Sequence, residues 1–359
     1  MNNQQIVIIG GGFAGLNLAR TLNGSSYQVL LIDQLNHHQF QPLLYQVATA
    51  GLEPSNISFP LRNIFHGSKN VRIRLAEVQK IVPGENKVVT TAGEFAYDYL
   101  VLATGANTNF FGNKNLESFA LPMKSTSEAI DIRQHILKNF EAALTAGDEE
   151  KKALLTYVVV GGGPTGVELA GALSEMKLHV LPKDFPETDF SSMRILLLEG
   201  SPALLSAMSA ASSQKSRAYL EQMGVDVRTG NLVKDYDGQV VLLQDGTEIK
   251  TKTVVWAAGV KGNRIEGLPA ESAASGNRVL VGRTNLVAGT ANIFAIGDLA
   301  FMPTPKYPDA HPQVANVAVN QAKLLAKNFK RMQKNLPILE YEYLDMGAMA
   351  TVGKHKAVV

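Results

Sequence analysis

Gly10, Gly12 and Gly15 stand in the stretch IVIIGGGFAGLNLA, Ile6–Ala19, at a spacing that can cradle a pyrophosphate. Gly10 allows a tight turn off a strand, and Gly12 lets phosphate approach the backbone. Gly15 lets the following helix pack closely on the strand. The helix N-terminus adds free N–H groups and a positive dipole end. Leu154–Gly171 repeats the pattern with Gly161, Gly163 and Gly166. Each copy leads to a strand that ends in an acid: Gln28–Ile32 runs into Asp33, and Arg194–Leu198 into Glu199. A carboxylate there can hold a ribose hydroxyl and repels a 2′-phosphate, so Glu199 favours NADH over NADPH. The insertion HVLPKDFPETDFSSM lengthens the second gap, so Glu199 matches the pattern less closely than Asp33 does.

Two dinucleotide sites with no kinase, metal or nucleophile motif point to hydride transfer from a nicotinamide to a flavin. At Gly297-Asp298 a carboxylate ending the apolar run Asn292–Ile296 can accept ribityl hydroxyls, and Gly297 permits backbone approach. A plain strand-terminating turn is the alternative there. Glu168 sits between Val167 and Leu169 near the start of the second fingerprint helix. It either stabilises the helix dipole or, facing the flavin, has its pKa raised by burial and handles protons. His37 and His38 read as loop residues and Trp256 as packing. With no cysteine in the chain, disulfides, thiolate catalysis and thiolate metal sites are excluded, and no metal is expected.

The elements that must position these groups are legible in outline. The 359 residues exceed one ordinary core, and 45% apolar with 18% charged residues fits a globular protein of two or more domains. A net charge of +2 does not favour a nucleic-acid partner. No run of about 18 apolar residues could span a bilayer, and the N-terminus lacks the features of a signal peptide. Asn36–Gly51 reads as a loop with a short helix near a ligand. Val71–Ala76, Val78–Val82, Lys87–Thr91, Val225–Thr229 and Val240–Leu243 read as strands, and Tyr97–Gly105 and Thr253–Gly259 as apolar strands ending in small residues. Ser127–Gly147 reads as a helix capped by Ser125 or Ser127, and Asp148–Lys152 as a solvated charge run. Gly262–Asn277 is loop-like. A helix over about Pro312–Lys334 carries Lys323, Lys327, Lys330 and Lys334 on one stripe, a solvated face by default or an attraction to anionic lipid. Glu340–Val359 alternates like sheet, and its apolar stop at KAVV looks like an unfinished strand, which predicts a chain cut before its natural end.

The residues together resemble the type II NADH:quinone oxidoreductases, single-subunit respiratory NADH dehydrogenases among the two-dinucleotide-binding-domain flavoproteins. The marks are Phe40–Gly51, Ala103–Gly112, Gly161–Gly171, LPKDFP with its following strand, Ala295–Asp298 and His311–Gln321. The resemblance implies an α/β fold of two Rossmann-like domains in a glutathione-reductase-like arrangement, the second inserted in the first. The FAD domain then takes 1–115 and 260–335, the NADH domain 116–259, and 336–359 starts a C-terminal β segment before membrane-attaching helices. It further implies FAD on Gly10, Gly12, Gly15, Asp33, Gln46, Ala103, Thr104, Gly105, Gly297 and Asp298. NADH falls to Gly161, Gly163, Gly166, Glu199 and Gly259. Glu168 matches a family glutamate placed between nicotinamide, flavin and quinone, and Lys354 or Lys356 a basic position near the quinone. Quinone contacts fall on Asn316, Asn320 and Gln321, where Asn316 and Asn320 replace family glutamines one methylene longer. The implied setting is peripheral, on the cytoplasmic face of the membrane, with a homodimer open. A flavin reductase serving a protein acceptor and a redox-sensing NADH-binding flavoprotein are the competing readings.

Overall fold

The chain is seen in a computed structural model that describes residues 4–186 and 189–359. Met1–Asn3, where the expected first domain begins, and Glu187 and Thr188, within the insertion before Glu199, lie outside the described residues. The chain divides into two compact units, each drawn from three segments. The first comprises Met1–Gln39, Ser58–Asn107 and Val260–Asp345; the second comprises Phe40–Ile57, Thr108–Gly259 and Met346–Val359.

The first unit is built on a parallel sheet in the order Ile293–Ala295, Tyr99–Leu102, Gln5–Ile9, Gln28–Asp33, Val71–Leu75. Its central strands are continuous apolar runs because both faces are covered. On one face Leu16, Leu18 and Leu22 from the helix Phe13–Leu22 meet Leu325 and Phe329 from the helix Ala315–Met332. The other face buries Val7, Ile9, Leu100, Val279, Tyr341 and Tyr343.

The second unit repeats the plan. Its parallel sheet runs Leu121–Pro122, Thr253–Trp256, Thr156–Val160, Arg194–Glu199, Val225–Thr229. The helix Pro164–Glu175 follows the second glycine turn, and the helix Thr126–Ala143 starts at Ser125. Ser125 and Glu128 form a reciprocal capping box, the Glu128 N–H donating to Ser125 Oγ and the Ser125 N–H to Glu128 Oε2.

Several expectations change. Phe40–Ile57 belongs to the second unit, because the short helix Leu44–Ala48 buries Leu44, Tyr45, Val47 and Ala48 in that unit's core. Residues 108–115 also fall in the second unit, whose middle segment ends at Gly259. The expected C-terminal β segment is split: 336–345 go with the first unit, where Tyr341 and Tyr343 fill its core, and only Ala350–Val352 and Lys356–Val358 are strands. These two pair antiparallel, so Lys356, Ala357 and Val358 of KAVV form a paired strand. His37–Gln39 is a strand paired with Ser58–Pro60. Asp148–Leu154 is a helix, with three acids in its first turn and two lysines in its last complementing the dipole, and it buries Ala153 and Leu154. The C-terminal helix of the first unit is shorter than Pro312–Lys334: it spans Ala315–Met332, carries Lys323, Lys327 and Lys330 exposed, and leaves Lys334, also exposed, in the turn beyond it. Among the described residues no helix is long and apolar enough to cross a membrane.

Candidate functional site

Both glycine turns are forced by the same two close approaches. Gly10 sits at φ +102° and Gly161 at φ +114°, a region that L side chains avoid. A Cβ on Gly10 would strike the Ala103 carbonyl oxygen, and one on Gly161 would stand 2.5 Å from that of Ala257. A Cβ on Gly15 would strike the carbonyl oxygen of Gly10, and one on Gly166 that of Gly161. Gly12 and Gly163 have nothing within 4 Å of where their Cβ atoms would stand. Each is the N-cap of its helix and makes no side-chain cap bond. The two turns therefore present open, donor-rich helix ends that fit a pyrophosphate.

The acids at the strand ends hold these turns in shape. Asp33 Oδ2 accepts the Gly11 N–H, and Oδ1 accepts the Leu35 N–H at 2.7 Å. Glu199 Oε2 accepts the Gly162 N–H, and Oε1 accepts the Ser201 N–H at 2.6 Å. Glu199 thus stands where Asp33 does, despite the longer insertion before it. Burial pushes the Asp33 carboxyl above its usual range, against the lowering by its two backbone donors. His38 completes the first turn, its Nδ1–H donating to the Gly11 carbonyl at 2.9 Å. Its ring meets Phe13 edge-on at 5.2 Å, and burial lowers its pKa. His38 was not singled out by spacing; only its pairing with Ser58–Pro60 brings it to the turn.

The rest of the first site clusters beside this loop. Thr104 Oγ1 donates to the Asn263 carbonyl at 2.7 Å, and Asn263 returns bonds to Thr104 O and Gly105 O. Gly297, at φ +71°, donates its N–H to Gln321 Oε1 at 2.8 Å. Asp298 is half-buried, its carbonyl accepts Gln313 Nε2 at 2.9 Å, and its charge helps to keep the half-buried Arg278 protonated. Ala103, Thr104, Gly105, Gly297 and Asp298 therefore gather in the same unit as Gly10, Gly12, Gly15 and Asp33. Gln46 lies on the short helix of the second unit, its Nε2 donating to Tyr45 Oη at 3.1 Å. In that unit Gly259 takes φ +144°, and its carbonyl accepts the Asn109 N–H.

The residues expected at a quinone divide in three. Asn316 and Asn320 lie one turn apart, half-buried and joined at 2.9 Å. Gln321 turns inward, 1% exposed, to the Gly297 N–H. Lys354 is exposed in the second unit's hairpin turn, its N–H donating to Glu175 Oε1 at 3.2 Å.

Glu168 is the chemically distinctive group. It lies on the face of the Pro164–Glu175 helix covered by the C-terminal hairpin. Gly171 makes that cover possible, since a Cβ there would stand 2.6 Å from Gly353 N. Burial pushes the Glu168 carboxyl up to about 7, although two donors from Thr351 pull it down. Such a group holds or releases a proton near neutral pH. Trp256 packs against Phe110 and donates Nε1–H to the Asn109 carbonyl. Among the described residues no cluster of three or more His, Asp or Glu could hold a metal ion.

Residues 4–322 match the pyridine nucleotide-disulphide oxidoreductase family. The chain is 37% identical over 370 residues to the type II NADH:quinone oxidoreductase Ndh of Mycobacterium tuberculosis, covering 99% of this chain and 79% of that protein. The paralogue NdhA of the same organism is 36% identical, covering 99% and 78%. In three dimensions the chain is similar to NDH2 of Plasmodium falciparum in complex with NADH, with a TM-score of 0.92 at 20% identity, over 99% of this chain and 89% of that one.

Proposed function

Since this chain belongs to the pyridine nucleotide-disulphide oxidoreductases and, within them, to the type II NADH:quinone oxidoreductases, we infer that it oxidises NADH and reduces a quinone without pumping protons. Bound FAD supplies the two-electron relay between NADH and quinone. The observation that carries this reading is the duplicated glycine turn, each copy braced by its own carboxylate.

In this reading the first turn holds the FAD pyrophosphate on Gly10, Gly12 and Gly15, with Asp33 at the adenosine ribose. Asp298 receives the ribityl hydroxyls, and Gln321 serves that turn by fixing Gly297. The second turn holds NADH on Gly161, Gly163 and Gly166. Both oxygens of Glu199 are already engaged by N–H groups, yet each keeps a lone pair for a ribose hydroxyl. Its charge disfavours a 2′-phosphate. Asn316 and Asn320 face the quinone. Glu168 handles the proton that quinone reduction consumes. With no cysteine, no thiol takes part. A docked position on the cytoplasmic face of the membrane, and a homodimer, extend the same reading.

Anaerobic NADH should bleach the flavin of the purified holoprotein, and a quinone should restore its colour. Flavin that stays oxidised under excess NADH would overturn the reading. Turnover with an iron–sulfur protein but with no quinone would favour the protein-acceptor alternative.

A further inference from the structure

The hydrogen bonds at Glu168 extend beyond the carboxyl. Thr351 N–H lies 3.3 Å and Thr351 Oγ1 3.5 Å from the same oxygen, Glu168 Oε1. Thr351 Oγ1 is 3.0 Å from Tyr45 Oη, and Gln46 Nε2 donates to Tyr45 Oη at 3.1 Å. The direction of this chain is fixed at both ends. An amide nitrogen can only donate and a carboxylate can only accept. While Glu168 is ionised, the hydroxyls therefore point in series from Gln46 through Tyr45 and Thr351 to Glu168. Two donors already meet Oε1, so a proton placed on it would face them. Among the described residues Oε2 takes no hydrogen bond.

We propose that Thr351 and Tyr45 are positioning residues for Glu168: their donor chain, anchored by Gln46, occupies Oε1 and commits the mobile proton to Oε2. This rests on the role given to Glu168 above. A proton leaving Oε2 for the reduced acceptor leaves a carboxylate that the Thr351 donors stabilise, and solvent returns a proton to Oε2 to close the cycle.

The other titratable groups on the packed elements are paired elsewhere, exposed to solvent, or, for Tyr157, buried without a hydrogen-bond partner. On the helix itself, Glu175 meets His179 and the Lys354 N–H. On the hairpin, Lys356 meets Gln222 and the Tyr219 ring, while Lys354 and His355 are exposed. Lys177 donates to the Met193 carbonyl. On the neighbouring strands, Glu199 takes the Gly162 and Ser201 N–H groups, Asp226 pairs with Arg194 and Arg228, and Tyr157 is buried. On the helix Ala210–Gln222, Arg217 pairs with Glu221. Burial and Thr351 are what act on the Glu168 carboxyl.

The test follows the Glu168 carboxyl carbon by 13C NMR in glutamate-labelled holoprotein, its signal assigned by loss in Glu168→Gln. Thr351→Val keeps the β-branched shape and removes the hydroxyl. It should raise the titration midpoint by about one pH unit and move the pH profile of quinone turnover with it, leaving KM for NADH unchanged. Thr351→Ser should restore both. Tyr45→Phe should shift both the same way by less, because the direct bond to Oε1 survives. Thr351→Val titrating like the parent, while Glu168→Gln still slows quinone turnover, overturns this inference alone. Glu168→Gln with undiminished quinone turnover overturns the role of Glu168 and the inference with it.

Discussion

The two fingerprint helices, Phe13–Leu22 and Pro164–Glu175, begin alike and finish differently. Two residues past the third glycine the first helix carries Asn17 and the second Glu168. Asn17 is locally satisfied, its Nδ2 donating to the Phe13 carbonyl at 2.7 Å while its own carbonyl accepts Thr21 Oγ1. Glu168 is half-buried and carries a raised pKa. One turn further on, the first helix exposes Arg20 where the second has Gly171, the residue that admits the hairpin. In the function proposed above the glycine turn supplies a phosphate-binding frame, and what packs on its helix decides whether that frame also handles protons.

The largest effect should come from filling the third glycine of either turn. Gly15→Ala drives a Cβ into the Gly10 carbonyl, and Gly166→Ala does the same to Gly161. Each overpacking should cost about 1–3 kcal/mol or more. Flavin absorbance should show FAD lost in the first variant only, and calorimetry should show NADH binding lost in the second. Loss of both ligands in each variant would erase the proposed division of labour.

Glu168→Gln comes next, with quinone turnover slowed about 10²-fold. It should also reveal the cost of burying the charge. Because the folded pKa lies near 7 against an ordinary 4.5, the folded chain holds a proton that the unfolded chain has lost between those values. Stability therefore falls as pH rises through that window and stays lower above it. Glu168→Gln should melt with the parent at pH 4 and above it at pH 8, by up to about 3 kcal/mol. A melting difference independent of pH would contradict the burial argument.

Gly171→Ala should loosen the hairpin, letting water reach Glu168 and moving its titration toward 4.5. Unchanged titration would show that the hairpin is not what buries it. The smallest effect is expected at the matching site of the first helix. Asn17→Ala should cost about 1 kcal/mol in thermal unfolding and leave turnover untouched; slowed turnover would break the asymmetry.

Both sheets were legible in the sequence because parallel strands covered on both faces read as uninterrupted apolar runs, as in Ile6–Ile9 and Tyr157–Val160. The turns were legible because no other residue fits Gly10 or Gly15. Glu199 was less so: the insertion hid a geometry that only the Gly162 and Ser201 N–H bonds display. Thr351 carried no signal, and the segment holding His38 and Tyr45 read only as lying near a ligand, with no role for either side chain. Thr351 and Tyr45 reach their partners from more than a hundred residues away, and short polar strands such as His37–Gln39 lack the periodicity that marks longer ones. The place of Phe40–Ile57 in the second unit was illegible for a related reason: an apolar five-residue helix announces burial without saying in which core.

The most direct test separates the two half-reactions by stopped-flow absorbance across pH 5 to 9. Reduction of the flavin by NADH should proceed at the same rate in the parent and in Glu168→Gln. Its reoxidation by quinone should slow in the parent as pH rises through about 7, and should be slow and flat with pH in the variant. Equal, pH-independent reoxidation in both proteins would contradict the account.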